Sequence, residues 1–197
     1  MHHSFIRIAL LGSGLCIATF AAETAPAKPW ESAALNLEAG VLWQEGSSTP
    51  IAYRVLVTEL SWRSSAFMTH VFADGSRIVV RHRLTLIADV IENAPETHYL
   101  GISGSPSIEW WDKAGTRSWF AGIGGGFGGI DSSGVPGGQP QDLTLNWFIR
   151  TGIERITTQH NAWSAGILYQ HISNGGMTHP HPGMNTVGFT LGYSWAQ

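Results

Sequence analysis

The 197-residue sequence has little charge, almost no cysteine and no long apolar segment, and each shortage excludes a class of protein. Only 13% of residues are charged, about half the share that is usual in a soluble domain. The net charge of −3 leaves no basic surface for nucleic acid. Cys16 is the only cysteine, which excludes a disulfide framework. No segment after the N-terminus has the run of about 18 apolar residues typical of a transmembrane helix.

The N-terminus has the pattern of a secretory signal peptide. Arg7 precedes an apolar run over residues 8–20, and the small residues Ala21 and Ala22 follow it. Because the run is too short to span a bilayer, we predict a signal peptide over residues 1–21. A lipoprotein interpretation based on Cys16 is weak, since the bulky Leu15 precedes it. Residues 22–32 are then a short leader that we expect to be disordered through Trp30, and residues 33–197 form a single domain.

The rest of the chain alternates between apolar residues and small or polar ones. In the last segment the odd positions from 187 to 195 are Val, Phe, Leu, Tyr and Trp, and the even positions are Gly, Thr, Gly and Ser. This period of two indicates β-strands, and an apolar face that ends in aromatic residues is typical of transmembrane barrels. Eight candidate strands cover about residues 33–44, 51–63, 77–91, 97–111, 116–128, 143–154, 161–173 and 186–195. Each is long enough for a tilted strand to cross a membrane.

Charged residues occupy the opposite face of these strands, and the connections alternate in length. Glu59, Arg83, Asp89, Glu109 and Arg150 should all point into one interior, which in an eight-stranded barrel is filled by side chains. Segments 129–141 and 174–185 are long and rich in Gly and Pro, whereas 112–115 and 155–160 are short; segment 64–76 is long for its place on the turn side. The sequence therefore predicts an all-β fold, an eight-stranded antiparallel transmembrane β-barrel. A soluble lipocalin-like barrel, with its apolar face inward, is the alternative.

A histidine and a serine continue the apolar face of the seventh candidate strand. Trp163, Ile167, Tyr169, His171 and Ser173 share one side of it, and residues i and i+2 lie about 7 Å apart along a strand. An imidazole at this spacing can take the proton of the hydroxyl and make it a nucleophile. A nucleophile on this face would act on a substrate in the membrane. Alternatively the strand ends before His171, and both residues are interfacial polar groups.

The residues around this pair carry a family resemblance. The pattern His171-x-Ser173-Asn174-x-Gly176, then Pro180 and Gly183 before an apolar last strand, resembles the PagL family of outer-membrane lipid A 3-O-deacylases. Residues 134–148 are similar to the same region of the wider acyloxyacyl hydrolase group. The resemblance implies a barrel in the Gram-negative outer membrane that removes an ester-linked acyl chain from lipid A. It implies no metal and no cofactor; the partners would be lipopolysaccharide and outer-membrane lipids, and a homodimer is left open.

The resemblance also implies roles for single residues. Ser173 would be the nucleophile and His171 the general base, with the Gly176 N–H in the oxyanion hole. Asn174 would support the site, and His181 stands where the family has a loop Asn that donates to the oxyanion.

Asn185 falls where the family has its acidic triad residue. An Asn can orient the imidazole but cannot stabilise its positive charge. This leaves three options: an Asn triad, an acid from elsewhere such as Asp131, or an inactive relative. The alternative function is a non-catalytic barrel that binds lipid or is structural. His171, His179 and His181 also suggest a metal, but no carboxylate or Cys is spaced to complete such a site.

Overall fold

The computed structural model describes residues 28–46, 52–138, 140–157, 161–179 and 183–196, which form one antiparallel sheet. Its strands are β1 (Ala34–Gln44), β2 (Arg54–Arg63), β3 (Met68–Val71), β4 (Arg77–Glu92), β5 (His98–Trp111), β6 (Arg117–Ile130), β7 (Leu143–Ile156), β8 (Asn161–Ser173) and β9 (Met184–Ala196). None of these residues forms a helix long and apolar enough to span a bilayer. The predicted signal peptide, residues 1–21, and residues 22–27 of the leader lie outside the described residues.

Eight of the strands close into a barrel. Neighbours in the sheet follow the order β2-β1-β9-β8-β7-β6-β5-β4, and pairing of β2 with β4 closes the ring. The predicted eight-stranded antiparallel barrel is confirmed, and its strands lie within a few residues of the predicted ones. The apolar side chains face outward: Phe189 is 65% exposed and Leu191 is 66% exposed. An outward apolar face is what lipid requires, so the lipocalin-like alternative is wrong.

The interior has two regions, one charged and one apolar. The charged region lies toward the end of the barrel where β1 begins, β9 ends and the short turns lie, which we call the turn end. Its nearly inaccessible side chains are Glu38, Glu59, Glu109, Glu154, Arg63, Arg81, Arg83 and Arg150. Asp89 is also buried, but it lies on β4 between Ile87 and Ile91, nearer the other end. Arg63 pairs with Glu109 at 3.3 Å and with Glu154 at 3.1 Å, and Arg150 pairs with Glu38 and, at 3.0 Å, with Glu59. The predicted ion-paired interior is confirmed.

The apolar region lies toward the opposite end, which carries the longer loops and which we call the loop end. Its buried side chains are Leu42, Tyr53, Val55, Val57, Ile87, Ile91, Tyr99, Ile130, Phe148, Leu168, Ile172 and Met184. Leu168 and Ile172 come from β8 and are almost fully buried. This packing fixes the C-terminal half of β8 from the inside, and so sets the outward direction of Tyr169 and His171.

Segment 64–76, which is long for a connection at the turn end, contains β3, the one strand beyond the eight of the barrel. β3 pairs with β4 alone, from Met68 opposite Val80 to Val71 opposite Arg77. At 16 residues β4 is the longest strand, and it extends past β2, which pairs only with the part of β4 from Arg83 onward. The segment therefore forms a hairpin on the barrel wall rather than a slack turn.

Trp30 closes the turn end of the barrel. The centroid of its ring lies 6.3 Å from the ring centroid of Trp111. The Arg77 guanidinium carbon lies 3.7 Å from the same Trp30 centroid. Arg81 donates from Nη2 to the Trp30 carbonyl at 2.6 Å and from Nη1 to the Ser32 carbonyl at 2.8 Å. The expectation of disorder is therefore wrong for Trp30 itself, because a buried arginine and an aromatic contact hold it in place.

Candidate active site

The side chains of β8 alternate across the barrel wall up to the last residue of the strand. Leu168, Gln170 and Ile172 are buried inside, whereas His171 and Ser173 lie on the outward face and are partly exposed. The strand does not end before His171, because β8 runs to Ser173 and pairs with β7 and β9 along this stretch. The histidine and the serine therefore lie on the lipid-facing side, at the loop end.

His171 contacts a residue through each of its ring nitrogens. Nε2 lies 3.0 Å from Ser173 Oγ, and Nδ1 lies 2.6 Å from Asn185 Oδ1. The register of the sheet makes the second contact, since β8 and β9 place His171 directly opposite Asn185. A carbonyl oxygen can only accept, so Nδ1 carries the hydrogen. The Nε2 lone pair is then free to accept the serine proton.

Two tyrosines hold Asn185, and the sequence analysis identified neither as a site residue. The Tyr169 hydroxyl donates to Asn185 Oδ1 at 3.0 Å, and the Tyr53 hydroxyl donates to the Asn185 main-chain oxygen at 3.0 Å. Burial raises the pKa of Tyr53 to about 12, so its hydroxyl stays protonated and can donate. Tyr169 shares the strand parity of His171 and could have been recognised from it. Nothing in the sequence around Tyr53 indicates its contact.

The turn after Ser173 presents backbone N–H groups near the hydroxyl. Gly175 and Gly176 have φ of 64° and 77°, a conformation that glycine adopts without strain. The Gly175 N–H donates to Ser173 Oγ at 3.4 Å, whereas the Gly176 N–H donates to Asn174 Oδ1 at 2.9 Å. Asn174 also donates from Nδ2 to the Thr178 carbonyl at 3.0 Å. The predicted oxyanion donor, Gly176, is therefore bonded to Asn174; His181 lies outside the described residues.

Gly183 leaves room for the imidazole. A Cβ at this position would lie 2.8 Å from His171 Cε1 and 3.6 Å from Ser173 Cβ. Any larger residue would displace the ring or the chain, so the close approach of the segment before β9 to His171 depends on glycine at position 183.

Asp131 lies in a different set of contacts. Its carboxylate accepts the backbone N–H of Thr97 at 2.8 Å and of His98 at 2.9 Å, and it also accepts the Thr97 hydroxyl. Partial burial opposes ionisation of Asp131, but these hydrogen bonds outweigh it and lower the pKa of the carboxyl. Asp131 thus contacts Thr97 and His98, whereas His171 Nδ1 contacts Asn185. The described residues contain no cluster of three His, Cys, Asp or Glu side chains that could hold a metal.

The site has the parts of a nucleophilic ester hydrolase: the Ser173 hydroxyl, the His171 imidazole and the Asn185 oxygen that accepts from it. The family model described as lipid A 3-O-deacylase (PagL) matches residues 28–194 of the chain. The chain belongs to this family. The resemblance stated from the motif is confirmed, and it extends over residues 28–194 rather than over the motif alone.

Solved structures agree with the fold of this PagL-family chain. The crystal structure of the outer membrane enzyme PagL is 17% identical, with a TM-score of 0.55, and the match covers 81% of this chain and 98% of that one. Neisserial surface protein A (NspA) is 14% identical, with a TM-score of 0.52, and the match covers 84% of this chain and 97% of that one. A search of curated protein sequences gives no significant match. At these identities the two structures show a shared barrel fold.

Proposed function

We propose that this PagL-family barrel is an outer-membrane lipid A deacylase that hydrolyses one ester-linked acyl chain, at the 3-O position by the family description. The observation that carries the proposal is the 3.0 Å contact between His171 Nε2 and Ser173 Oγ, with Nδ1 held on Asn185. Both residues face lipid, where the acyl ester of lipid A lies. This placement would be pointless for a water-soluble substrate.

The reaction begins with attack on the ester carbonyl carbon. Ser173 Oγ forms the new bond while its proton moves to His171 Nε2, and the carbonyl oxygen becomes an oxyanion. When the tetrahedral intermediate collapses, the bond to the sugar oxygen breaks and that oxygen takes the proton from Nε2. Water then attacks the acyl-serine with His171 as base again. The products are a free fatty acid and lipid A with one acyl chain fewer.

The Gly-Gly turn supplies the donors for the oxyanion. The Gly175 N–H already reaches Ser173 Oγ, and the Gly176 N–H lies one residue further along the same turn. In the transition state the Gly176 N–H would turn from Asn174 Oδ1 to the developing oxyanion, which is the stronger acceptor. One such donor contributes about 3–4 kcal/mol in other serine hydrolases. Asn174 thus shapes the turn before substrate binds.

The barrel wall next to the site suits an acyl chain. On β7, Leu145 pairs with Ser173 and Trp147 pairs with His171, and both side chains are more than two-fifths exposed on the outward face. The chain bound to the reacting carbonyl can lie along these residues without leaving the hydrocarbon. The homodimer that was left open is not supported.

Mass spectrometry of lipid A from cells that express the chain tests this function. Wild type should remove one acyl mass, and Ser173→Ala should not, although it folds and inserts equally. Ser133→Ala, in the β6–β7 loop, is the matched control and should act like wild type. If wild type leaves lipid A unchanged while the barrel is inserted, the deacylase proposal fails. The non-catalytic barrel that binds lipid or is structural would then be the better interpretation.

A further inference from the structure

Tyr169 makes a contact that the hydrolytic mechanism above does not use. Its hydroxyl donates to Asn185 Oδ1 at 3.0 Å, and the same oxygen accepts the His171 Nδ1 hydrogen at 2.6 Å. One amide oxygen therefore receives two hydrogen bonds, which is the capacity of its two lone pairs. The tyrosine ring is held in turn by Trp147, whose ring centroid lies 5.2 Å away.

An amide differs from a carboxylate in a way that makes this contact consequential. The two oxygens of a carboxylate are equivalent, so either can accept from an imidazole. An amide has one accepting end and one donating end. If Asn185 turned over, its NH₂ group would donate to Nδ1, and the imidazole hydrogen would move to Nε2. His171 would then donate to Ser173 and could not take its proton.

We propose that Tyr169 is a positioning residue that keeps the Asn185 carbonyl oxygen on His171 and so holds the imidazole in its catalytic tautomer. A phenol donates a hydrogen bond more readily than its oxygen accepts one, because the ring withdraws electron density from the oxygen. The hydroxyl of Tyr169 therefore favours the orientation that points Oδ1 toward it. The consequence for the reaction rests on the proposed deacylase function.

The rest of the contact set restrains Asn185 without selecting between its two side-chain orientations. Tyr53 donates to the main-chain oxygen of Asn185, and the Glu45 N–H donates to the same atom at 2.8 Å. These bonds fix the backbone and leave the amide torsion undetermined. Among the described contacts of Asn185, two involve its side chain: one is with His171 and the other is with Tyr169.

A double-mutant cycle tests the proposal kinetically. Tyr169→Phe keeps the ring against Trp147 and removes only the hydroxyl. With Asn185 present it should lower kcat for acyl release by about tenfold, the worth of one hydrogen bond, and leave KM unchanged. With Asn185→Asp the same change should cost less than about threefold, since either carboxylate oxygen can accept. Tyr193→Phe, on the outward face of β9, is the matched control. Equal losses in both backgrounds would mean that the Tyr169 hydroxyl acts independently of the Asn185 amide, and would overturn the proposal.

A second readout does not depend on activity. Correlation of the imidazole nitrogens with the ring protons by NMR, in the refolded barrel in micelles, reports which nitrogen carries the hydrogen. The His171 signals are identified by their loss in His171→Gln. Wild type should show the hydrogen on Nδ1, and Tyr169→Phe should show a mixture of tautomers. An unchanged tautomer in Tyr169→Phe, or a hydrogen on Nε2 in wild type, would contradict the proposal. If wild type and Ser173→Ala are equally inactive, the deacylase function fails, but these spectra still decide the role of Tyr169.

Discussion

Replacing Asn185 with aspartate should raise the rate of acyl release, because the present site orients its base without stabilising the charge that forms on it. In the proposed mechanism His171 becomes positively charged in the transition state, and its Nδ1 lies 2.6 Å from a neutral amide oxygen. Aspartate has nearly the same shape and would put a negative charge at the same place. Its charge centre would lie about 4 Å from that of the imidazolium, where two unit charges interact by about 1 kcal/mol in water and about 4 kcal/mol at a protein surface.

The expected gain is smaller than the larger figure. Both side chains are partly exposed, so screening is substantial, and the carboxylate itself must lose some water. A net gain of about 1.4 kcal/mol corresponds to about a tenfold increase in kcat. Asn185→Ala should act in the opposite direction, because it removes the acceptor that fixes the tautomer. A serine protease whose triad acid is replaced by an amide, with the wrong tautomer, loses about four powers of ten, and this bounds the loss.

Single-turnover release of fatty acid from purified lipid A in mixed micelles measures both variants. Each is first checked for a folded barrel by its faster migration when unheated. The order Asp above Asn above Ala is the expected result. Equal rates for all three, with every barrel folded, would refute the reasoning, since Asn185 could then have no part in positioning or charging His171. A slower aspartate variant would mean that the carboxylate captures the imidazole in an unproductive ion pair.

Three further changes test the site and its support. Gly183→Ala should lower activity by at least tenfold, because the new methyl group would lie closer to the His171 imidazole than van der Waals contact allows. Gly129→Ala is the control and should have no effect, because a methyl group there would meet open space. Arg150→Met should reduce the free energy of unfolding by about 3–5 kcal/mol in urea titrations, since it leaves the buried Glu59 without its ion-pair partner and leaves Glu38 with Arg83 alone. Removal of the exposed Arg54 should cost about 1 kcal/mol or less. Asp131→Asn should leave kcat within about twofold of wild type, and a loss comparable to that of Ser173→Ala would restore it as a candidate acid.

Alternation was sufficient to predict the barrel because each wall strand separates two different environments. Leu143, Leu145 and Trp147 face lipid, and the residues between them face the interior, so a period of two is imposed along the whole strand. Segment 64–76 carries no such signal. β3 has all four residues exposed and exists because β4 extends beyond β2, a fact of register that no local pattern records. Trp30 was misjudged for a similar reason, since its partners are far away in sequence.

The site divides in the same way between local and long-range information. His171 and Ser173 are neighbours on one strand, so parity alone predicted their proximity. The contact of Asn185 with His171 was inferred only from the family pattern, because it depends on how β8 and β9 pair. The Gly176 N–H points to Asn174 because of a local backbone conformation that residue types alone do not specify. Tyr53 reaches Asn185 through the β1–β2 connection, which is invisible to strand parity.

The outward placement of Ser173 has a consequence for how the enzyme finds its substrate. In the proposed mechanism the ester would arrive by diffusion in the plane of one leaflet rather than from solution, so the encounter would be a two-dimensional search. The quantity that sets occupancy is the mole fraction of acylated lipid A among its neighbours, and diluting the cells or the vesicles should leave the rate per enzyme unchanged. Diluting the substrate with inert lipid should slow it. The product would leave in the same plane. Deacylated molecules that accumulate beside the barrel would compete with the substrate for the outward face next to Ser173 before they disperse.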